Sequence, residues 1–583
     1  MNDEKKIDNS AIERIRTLQK HRKKILNLPP EKALDYILER RHPAAVVHSF
    51  AEEDFHFLIH DIGVEDARPL ISLASNRQWQ HCLDVETWHQ DQLDNEAVTR
   101  WMEMLFRAEP DRAVRWFAES KAEFLEMFFF KNLEIRIREI DQDPPDRDSD
   151  FFTDDDTYYV RIIEPPTSLE AEERQSEYEA RKRRRDFLSD FIRRLSAHDH
   201  VRYQQILHEA IQIVPAESEE DEYRWRNVRL AEKGFLSFDE AVGVYQPLDP
   251  AALLRRTPKQ LAPGSETVSR LPAPMASRQM LDDSGLFPEA MRQIDSPETI
   301  EQLQLEFSAL CNQIIAADQA IVRSRQALEI KVKKTSGYIG IGLERLTRKT
   351  GAEAVQPAAE LIRRHALSDL FRVGYGLALT LKWRAERWRK TSWFEKAGLP
   401  LNFWGESWLG VLGGLLIKKP QYYDNYLTGV LYREFNTLND IDTSRETLNQ
   451  IIAVDSLLAA MDIQLKSEAG YRWLSYQNLI LTLWARHQSG LPDGVIPLSM
   501  NEFKVFFNTL WDSPQPPRQT SAEAKTSFLT WMSRRTGLSP VEITRRIGPS
   551  LDALFETLDH ELGQVMVKDL TARYIHLFLV KQD

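Results

Sequence analysis

The sequence has little cysteine and no long apolar run, and each shortage excludes a class of protein. Its 583 residues include two cysteines, Cys82 and Cys311, too few for a disulfide framework or for a zinc site made only of cysteines. No uninterrupted apolar stretch approaches the ~20 residues that cross a bilayer. The segment Met1–Lys24 is charged throughout and lacks the apolar core of a signal peptide. We therefore predict a soluble, cytoplasmic protein.

Glycine is also scarce, at 23 residues, and strand-like alternation of apolar and polar residues is rare. Apolar residues instead recur at spacings of three and four, as at Leu34, Ile37 and Leu38, which is typical of amphipathic helices. Hydrophobic residues make up 42% and charged residues 28%, the balance of a folded chain, with a net charge of −13. The sequence thus predicts a mainly α fold, and at ~100–200 residues per domain it indicates three or four domains.

Changes in composition predict six segments. They are a helical-repeat domain (1–140), an acidic loop and β-hairpin (141–166), a charged helical segment (167–246), a proline-rich linker or strap (247–298), a helical domain (299–512) and a small helical tail domain (513–583). In the first segment, short helices are expected to begin near Pro30, Pro43, Glu52, Glu65 and Asn76, and Ser75 with Gln78 reads as a capping box. Short helices must stack to bury their apolar faces, which predicts a solenoid-like region.

The acidic loop contains the predicted hairpin and the predicted metal candidates. Phe151–Thr153 and the β-branched, aromatic run Tyr158–Ile162 are expected to pair across a turn of three aspartates. Asp146, Asp148, Asp150 and Asp154 take positions 1, 3, 5 and 9 of an EF-hand loop. Phe151 stands where the turn needs glycine and Thr157 where the loop needs glutamate, which excludes an EF-hand. The four aspartates are candidates for loose divalent-cation binding, and a solvated acidic loop is the favoured alternative.

Motifs for catalysis and for cofactor binding are missing. His56 and His60 share a helix face at i, i+4, but no HExxH surrounds them and Asp61 is the wrong neighbour for a zinc protease. No GxSxG occurs. The glycines of SGYIGIGL (Ser336–Leu343) do not match a phosphate-binding motif, so we expect a turn or tight helix packing there. We predict no catalytic residue and no cofactor.

Two features suggest macromolecular partners. The segment Trp531–Gly548 has the look of a helix–turn–helix with its turn at Gly537. Its four arginines are candidates for phosphate contacts to nucleic acid: Arg534, Arg535, Arg545 and Arg546. In the first segment, large aromatic residues are candidates for a protein-partner surface, with core packing as the alternative: Phe55, Trp79, Trp88, Trp101 and Trp116.

The run LPPEKALDYILERRHPAAVVHSFAEEDFHFLIHDIG, followed by ISLASNRQWQHCLDVETWHQDQLD, resembles the helical intracellular repeat domain of MgtE-type magnesium transporters. The chain has neither the cystathionine-β-synthase-type domain nor the membrane helices of those transporters, so this resemblance implies a helical scaffold alone. Over its whole length, and most specifically in RLAEKGFLSFDEAVGVYQPLDP (Arg229–Pro250), the chain is similar to an uncharacterised bacterial family of unknown function. That similarity implies a cytoplasmic helical protein.

We predict a non-enzymatic helical-repeat protein that acts as an interaction or scaffold protein with a protein partner. Stacked helices offer an extended binding surface, and no active-site motif competes with this interpretation. The alternatives are a nucleic-acid-associated regulator that uses the tail and a metal-dependent enzyme of unfamiliar type. The sequence leaves the oligomeric state and the pathway open.

Overall fold

The computed structural model describes residues 17–581, except 19, 23, 27, 90, 139–149, 165–173, 233–234, 237, 260–284, 321, 350 and 466–473. Helices dominate the described residues, which contain three two-stranded antiparallel hairpins. The predicted mainly α fold is confirmed. No helix in the described part is both long and apolar enough to span a membrane.

The chain forms two compact units. The first comprises Met1–Val244, Lys259–Ser284 and Pro288–Thr335, and the second comprises Tyr245–Pro258, Gly285–Phe287 and Ser336–Asp583. The first three predicted segments therefore lie in the first unit except for residues 245–246, whereas the predicted domain 299–512 is divided between the units.

The helices and strands up to Ala241 belong to the first unit. They are α1 (Pro30–Leu38), α2 (Pro43–His48), α3 (Glu52–Ile62), α4 (Arg68–Leu73), α5 (Asn76–Glu86), β1 (Trp88–His89), β2 (Gln92–Leu93), α6 (Asn95–Ala108), α7 (Pro110–Ser120), α8 (Ala122–Asn132), β3 (Leu133–Ile137), β4 (Tyr158–Ile162), α9 (Arg174–His198), α10 (His200–Gln212), α11 (Pro215–Ala231) and α12 (Phe238–Ala241).

The remaining helices and strands follow in chain order. They are α13 (Pro250–Leu254), α14 (Leu286–Arg292), α15 (Pro297–Asp318), α16 (Arg325–Thr347), α17 (Ala352–Arg364), α18 (Leu367–Thr391), α19 (Trp393–Lys396), α20 (Glu406–Leu416), β5 (Tyr422–Tyr423), β6 (Tyr432–Arg433), α21 (Leu438–Ala460), α22 (Tyr476–Gln488), α23 (Met500–Phe507), α24 (Ala522–Thr536) and α25 (Pro540–Leu562). Of these, α15 lies in the first unit, and α17 to α25 lie in the second.

Local sequence signals set the helix starts of the first unit. Pro30 and Pro43 each occupy the first turn of a helix, where proline loses no hydrogen bond. Ser75 and Gln78 form the predicted capping box, in which the Ser75 hydroxyl accepts from the Gln78 amide. The start expected at Glu65 is displaced, because a turn there precedes α4. The short helices pack around one core, which continues through α9 and α10.

The strand Tyr158–Ile162 forms as predicted, but its main partner differs. It pairs along its whole length with β3, in the register Leu133–Ile162 to Ile137–Tyr158. Phe152 contributes one antiparallel bridge, to Val160. The expected hairpin with Phe151–Thr153 is thus reduced to that bridge, because Leu133–Ile137 offers a longer run of backbone donors and acceptors.

Glycines allow α18 and the second-unit part of α16 to approach closely. A Cβ atom on Gly342 of α16 would lie 2.2 Å from the Leu370 carbonyl oxygen, and one on Gly374 of α18 would lie 2.0 Å from that of Tyr338. The run Ser336–Leu343 is helical, and Gly342 serves the tight packing that the sequence suggested as one alternative to a turn.

Candidate functional site

Two histidines and a glutamate meet between α3 and α5. His56 and His60 are one turn apart on α3, so their rings lie on the same face. Glu86 is the last residue of α5, which packs against α3. The helix face shared by the histidines was visible in the sequence. Glu86 lies 30 residues from His56 and was missed, because only the packing of the two helices brings it there.

The donor atoms of this histidine–glutamate cluster converge on a small volume. His56 Nε2 is 2.9 Å from Glu86 Oε1 in an aligned hydrogen bond. His60 Nε2 is 3.0 Å from the same oxygen, but without the alignment of a hydrogen bond. One donor atom from each residue lies within 4.8 Å of the other two. His56 and Glu86 are buried, and His60 is partly exposed.

Burial and charge set the protonation states in the cluster. Burial lowers the pKa of His56, against the opposing effect of its hydrogen bond to Glu86. Burial alone would raise the pKa of Glu86, but the hydrogen bond from His56 and the proximity of His60 outweigh it and hold the pKa well below its usual range. Arg323 Nε also lies 3.0 Å from Glu86 Oε2. A neutral imidazole and an ionised carboxylate are the forms that bind metal ions.

A cavity of about 380 Å³ lies beside the cluster, and His56 belongs to both. Its apolar wall includes Phe57, Trp88, Leu230, Phe235, Ile315 and Val322. The polar side chains that interrupt this wall include His56, His81, Asp91, Arg226 and Asn312. The arrangement can enclose an apolar body and offer hydrogen bonds to a polar group.

Helix α11 covers the cavity because two arginines fasten it to α5. Arg229 forms a bidentate pair with Asp84, with Nε–Oδ2 and Nη2–Oδ1 distances of 2.8 Å. Arg226 Nε donates to the Asp84 carbonyl oxygen at 2.6 Å. Bidentate, charged pairs of this kind fix orientation as well as supplying energy. Residues Leu230, Phe235, Leu236 and Phe238, at and beyond the end of α11, then form part of the cavity wall.

The five aromatic residues predicted as a partner surface are buried. Phe55 and Trp79 are 1% and 0% exposed, and Trp79 Nε1 donates to the Ile71 carbonyl oxygen. Trp101 and Trp116 also lie in the core, and Trp88 lines the cavity. Their burial agrees with the core-packing alternative, and partner binding through these residues stays a prediction.

The predicted metal aspartates are only partly described. Asp146 and Asp148 lie outside the described residues, and Asp150 and Asp154 are exposed. Among the described residues, the group of metal-type donors that converges is the histidine–glutamate cluster and includes neither aspartate. Cation binding by the acidic loop stays a prediction.

The tail forms two helices around the predicted turn, with Gly537 in the left-handed conformation at φ 71°. Arg534 is exposed. Arg535 pairs with Asp493, at 2.9 Å, and Arg545 and Arg546 both pair with Glu542. Nucleic-acid binding through these arginines stays a prediction.

The chain belongs to a family of unknown function (DUF6178), whose model matches residues 10–581. No curated protein and no solved structure matches it. The predicted similarity to a family of unknown function is confirmed. Nothing in these comparisons supports the resemblance to MgtE-type transporters.

Proposed function

We propose that this DUF6178 protein binds a small organic ligand, with an apolar body and a polar group, in the cavity of its first unit. The cavity itself is the observation that carries the proposal. Its volume of about 380 Å³ falls within the ~300–1,000 Å³ that is usual for small-molecule sites. Its wall combines apolar side chains with polar ones, as the walls of such sites do.

Different parts of the lining suit the apolar body and the polar group of the ligand. Phe57, Trp88 and Ile315 offer apolar surface to a ring or an alkyl chain. His56 and Asn312 are buried polar side chains that can exchange hydrogen bonds with a polar group. The lining carries charges of both signs, with Glu53, Asp91 and Asp239 against Arg226, which disfavours a ligand with several negative charges.

A fluorescent probe tests the proposal. Anilinonaphthalene sulfonate, whose emission rises in apolar surroundings, should bind the full-length protein saturably at one site. Ala316→Trp fills part of the cavity and should abolish that site, whereas Ala309→Trp places the same side chain on the exposed face of the same helix and should leave it unchanged. Equal binding to both variants, with native circular dichroism, would contradict the proposal.

A second proposal keeps the predicted interaction with a protein partner but places it in the second unit. The loop between β5 and β6 exposes four apolar side chains, Tyr426 (65%), Leu427 (83%), Val430 (45%) and Leu431 (37%). The loop is held in shape by the buried carboxylate of Asp424, which accepts from the Thr428 amide at 2.6 Å and from the Thr428 hydroxyl at 2.8 Å. Adjacent exposed apolar side chains on an ordered loop favour a partner with an apolar groove.

Introducing a charge tests whether the partner binds this loop or any exposed apolar residue. Leu427→Asp should abolish retention of a protein partner that the wild-type protein retains at moderate salt. Val505→Asp changes an apolar residue of α23 that is also well exposed, and retention should persist. Loss of the partner with both variants, or with neither, would refute a role for the loop.

We also propose a cytoplasmic location, as the sequence predicts. Cys82 and Cys311 are the two cysteines of the sequence, and both are buried. So low a cysteine content is in keeping with a reducing compartment. Fractionation of the native cell, with a cytoplasmic enzyme as marker, tests this location, and recovery of the protein in another fraction would contradict it.

A further inference from the structure

We propose that His56, His60 and Glu86 bind one divalent transition-metal ion of the Zn²⁺ type. Their three donor atoms lie within 4.8 Å of one another. The residues lie on two regular helices that pack together, so the backbone already holds the donors in place. Two imidazoles and one carboxylate form a ligand set found in catalytic zinc sites, where a fourth position stays open.

Two side chains donate aligned hydrogen bonds to Glu86. Glu86 Oε1 accepts the aligned hydrogen bond of His56, and Arg323 Nε donates to both oxygens of Glu86, at 3.0 Å to Oε2 and at 3.3 Å to Oε1. His60 Nε2 nevertheless lies 3.0 Å from Oε1 without hydrogen-bond alignment. The two imidazole rings are also close, with centroids 4.6 Å apart. A cation between the three donor atoms would give both ring nitrogens and the carboxylate oxygen a common partner.

The chemical types of the three donor atoms indicate which metal ion the site prefers. Mg²⁺ and Ca²⁺ prefer oxygen ligands, whereas imidazole nitrogen suits Zn²⁺ and its neighbours in the first transition series. Arg323 donates to Glu86 more closely at Oε2 (3.0 Å) than at Oε1 (3.3 Å), and such hydrogen bonds commonly orient a ligating carboxylate. Its positive charge also opposes the cation, so we expect weaker binding than at a site without a neighbouring guanidinium.

The proposed metal site rests on the histidine–glutamate cluster alone and does not need an organic ligand in the cavity. The metal proposal and the ligand proposal can therefore fail separately. The full-length protein, freed of metal with a chelator, is titrated with Zn²⁺ by calorimetry and with Co²⁺ by visible absorption. We expect one equivalent of each ion to bind, and the Co²⁺ complex to show the intense bands of a low-coordinate nitrogen and oxygen site. A large excess of Mg²⁺ should displace neither ion.

Variants locate the ion. His60→Ala and Glu86→Gln should each weaken Zn²⁺ binding by at least 10–100-fold, the loss that is typical even of outer-shell partners. His48→Ala removes an exposed imidazole outside the cluster and should change nothing. Circular dichroism verifies that each variant is folded.

Three results would overturn the inference. They are the absence of stoichiometric binding to the wild-type protein, equal binding to the wild type and both cluster variants, and displacement by Mg²⁺. If a cluster variant fails to fold, the wild-type Co²⁺ spectrum decides, because weak bands like those of the hydrated ion would exclude the site.

Discussion

Replacing Arg229 by alanine should loosen α11 from the cavity that it covers. The substitution removes both 2.8 Å contacts to Asp84, a carboxylate that is 4% exposed. Removing one partner of a fully buried pair costs about 3–5 kcal/mol. Two features reduce this figure: the Arg229 side chain is 26% exposed, and Gln80 still donates to Asp84 Oδ1 at 2.9 Å. We therefore expect α11 to lose about 2 kcal/mol of local stability.

Native-state hydrogen exchange measures this loss where it occurs. A loss of about 2 kcal/mol corresponds to roughly 30-fold faster exchange of the α11 amides that open locally. Arg224→Ala is the matched control, because Arg224 lies on the same helix and its contacts to Asp221 and Glu220 are exposed. Such surface pairs contribute about 0–1 kcal/mol. Equal exchange in the two variants would refute the idea that the Arg229–Asp84 pair holds the helix.

Two further predictions concern the packed interior. Gly342→Ala should destabilise the second unit by about 1–3 kcal/mol or more, because its Cβ would meet the Leu370 carbonyl oxygen at 2.2 Å. Gly340→Ala is the control on the same helix, with open space around the new Cβ, and should stabilise the second unit by up to about 1 kcal/mol. Thermal unfolding that ranks the two variants in another order would contradict the close packing at Gly342. Burial raises the pKa of Cys311 to about 12, despite a hydrogen bond with Thr335, so we expect the native thiol to resist alkylation at pH 8 and to react after unfolding. Rapid native labelling, read by mass spectrometry, would show that this core opens.

The helix starts could be predicted because they depend on neighbours in the sequence. Pro43 loses no hydrogen bond in the first turn wherever the helix packs, and the capping box of Ser75 and Gln78 closes within four residues. The strand that pairs with Tyr158–Ile162 could not be predicted in this way, because it lies further away in the sequence. Leu133–Ile137 competes with the nearer Phe151–Thr153 and pairs more completely, and local propensity does not rank these two partners.

The aromatic residues show a second limit of sequence reasoning. A tryptophan at helical spacing marks a buried face as readily as an exposed one, since both uses exploit its large apolar area. Trp79 is held in the core by its packing and by the hydrogen bond to Ile71. Four exposed apolar residues lie close together in the short loop Tyr426–Leu431, where apolar composition alone would equally suit a buried strand.

One part of the histidine–glutamate cluster could be predicted from local sequence spacing, and the other part depends on how the helices pack. His56 and His60 could be paired from their spacing, because one helix turn fixes their relation. Glu86 is one of 89 acidic residues, and nothing in the sequence distinguishes it from the aspartates of the acidic loop. Burial distinguishes it in the structure, since a carboxylate removed from water needs partners of opposite charge, hydrogen-bond donors or a metal ion. The exposed Asp150 and Asp154 can meet that need with water, whereas Glu86 must meet it with His56, His60 and Arg323, and this makes the cluster the stronger candidate for chemistry.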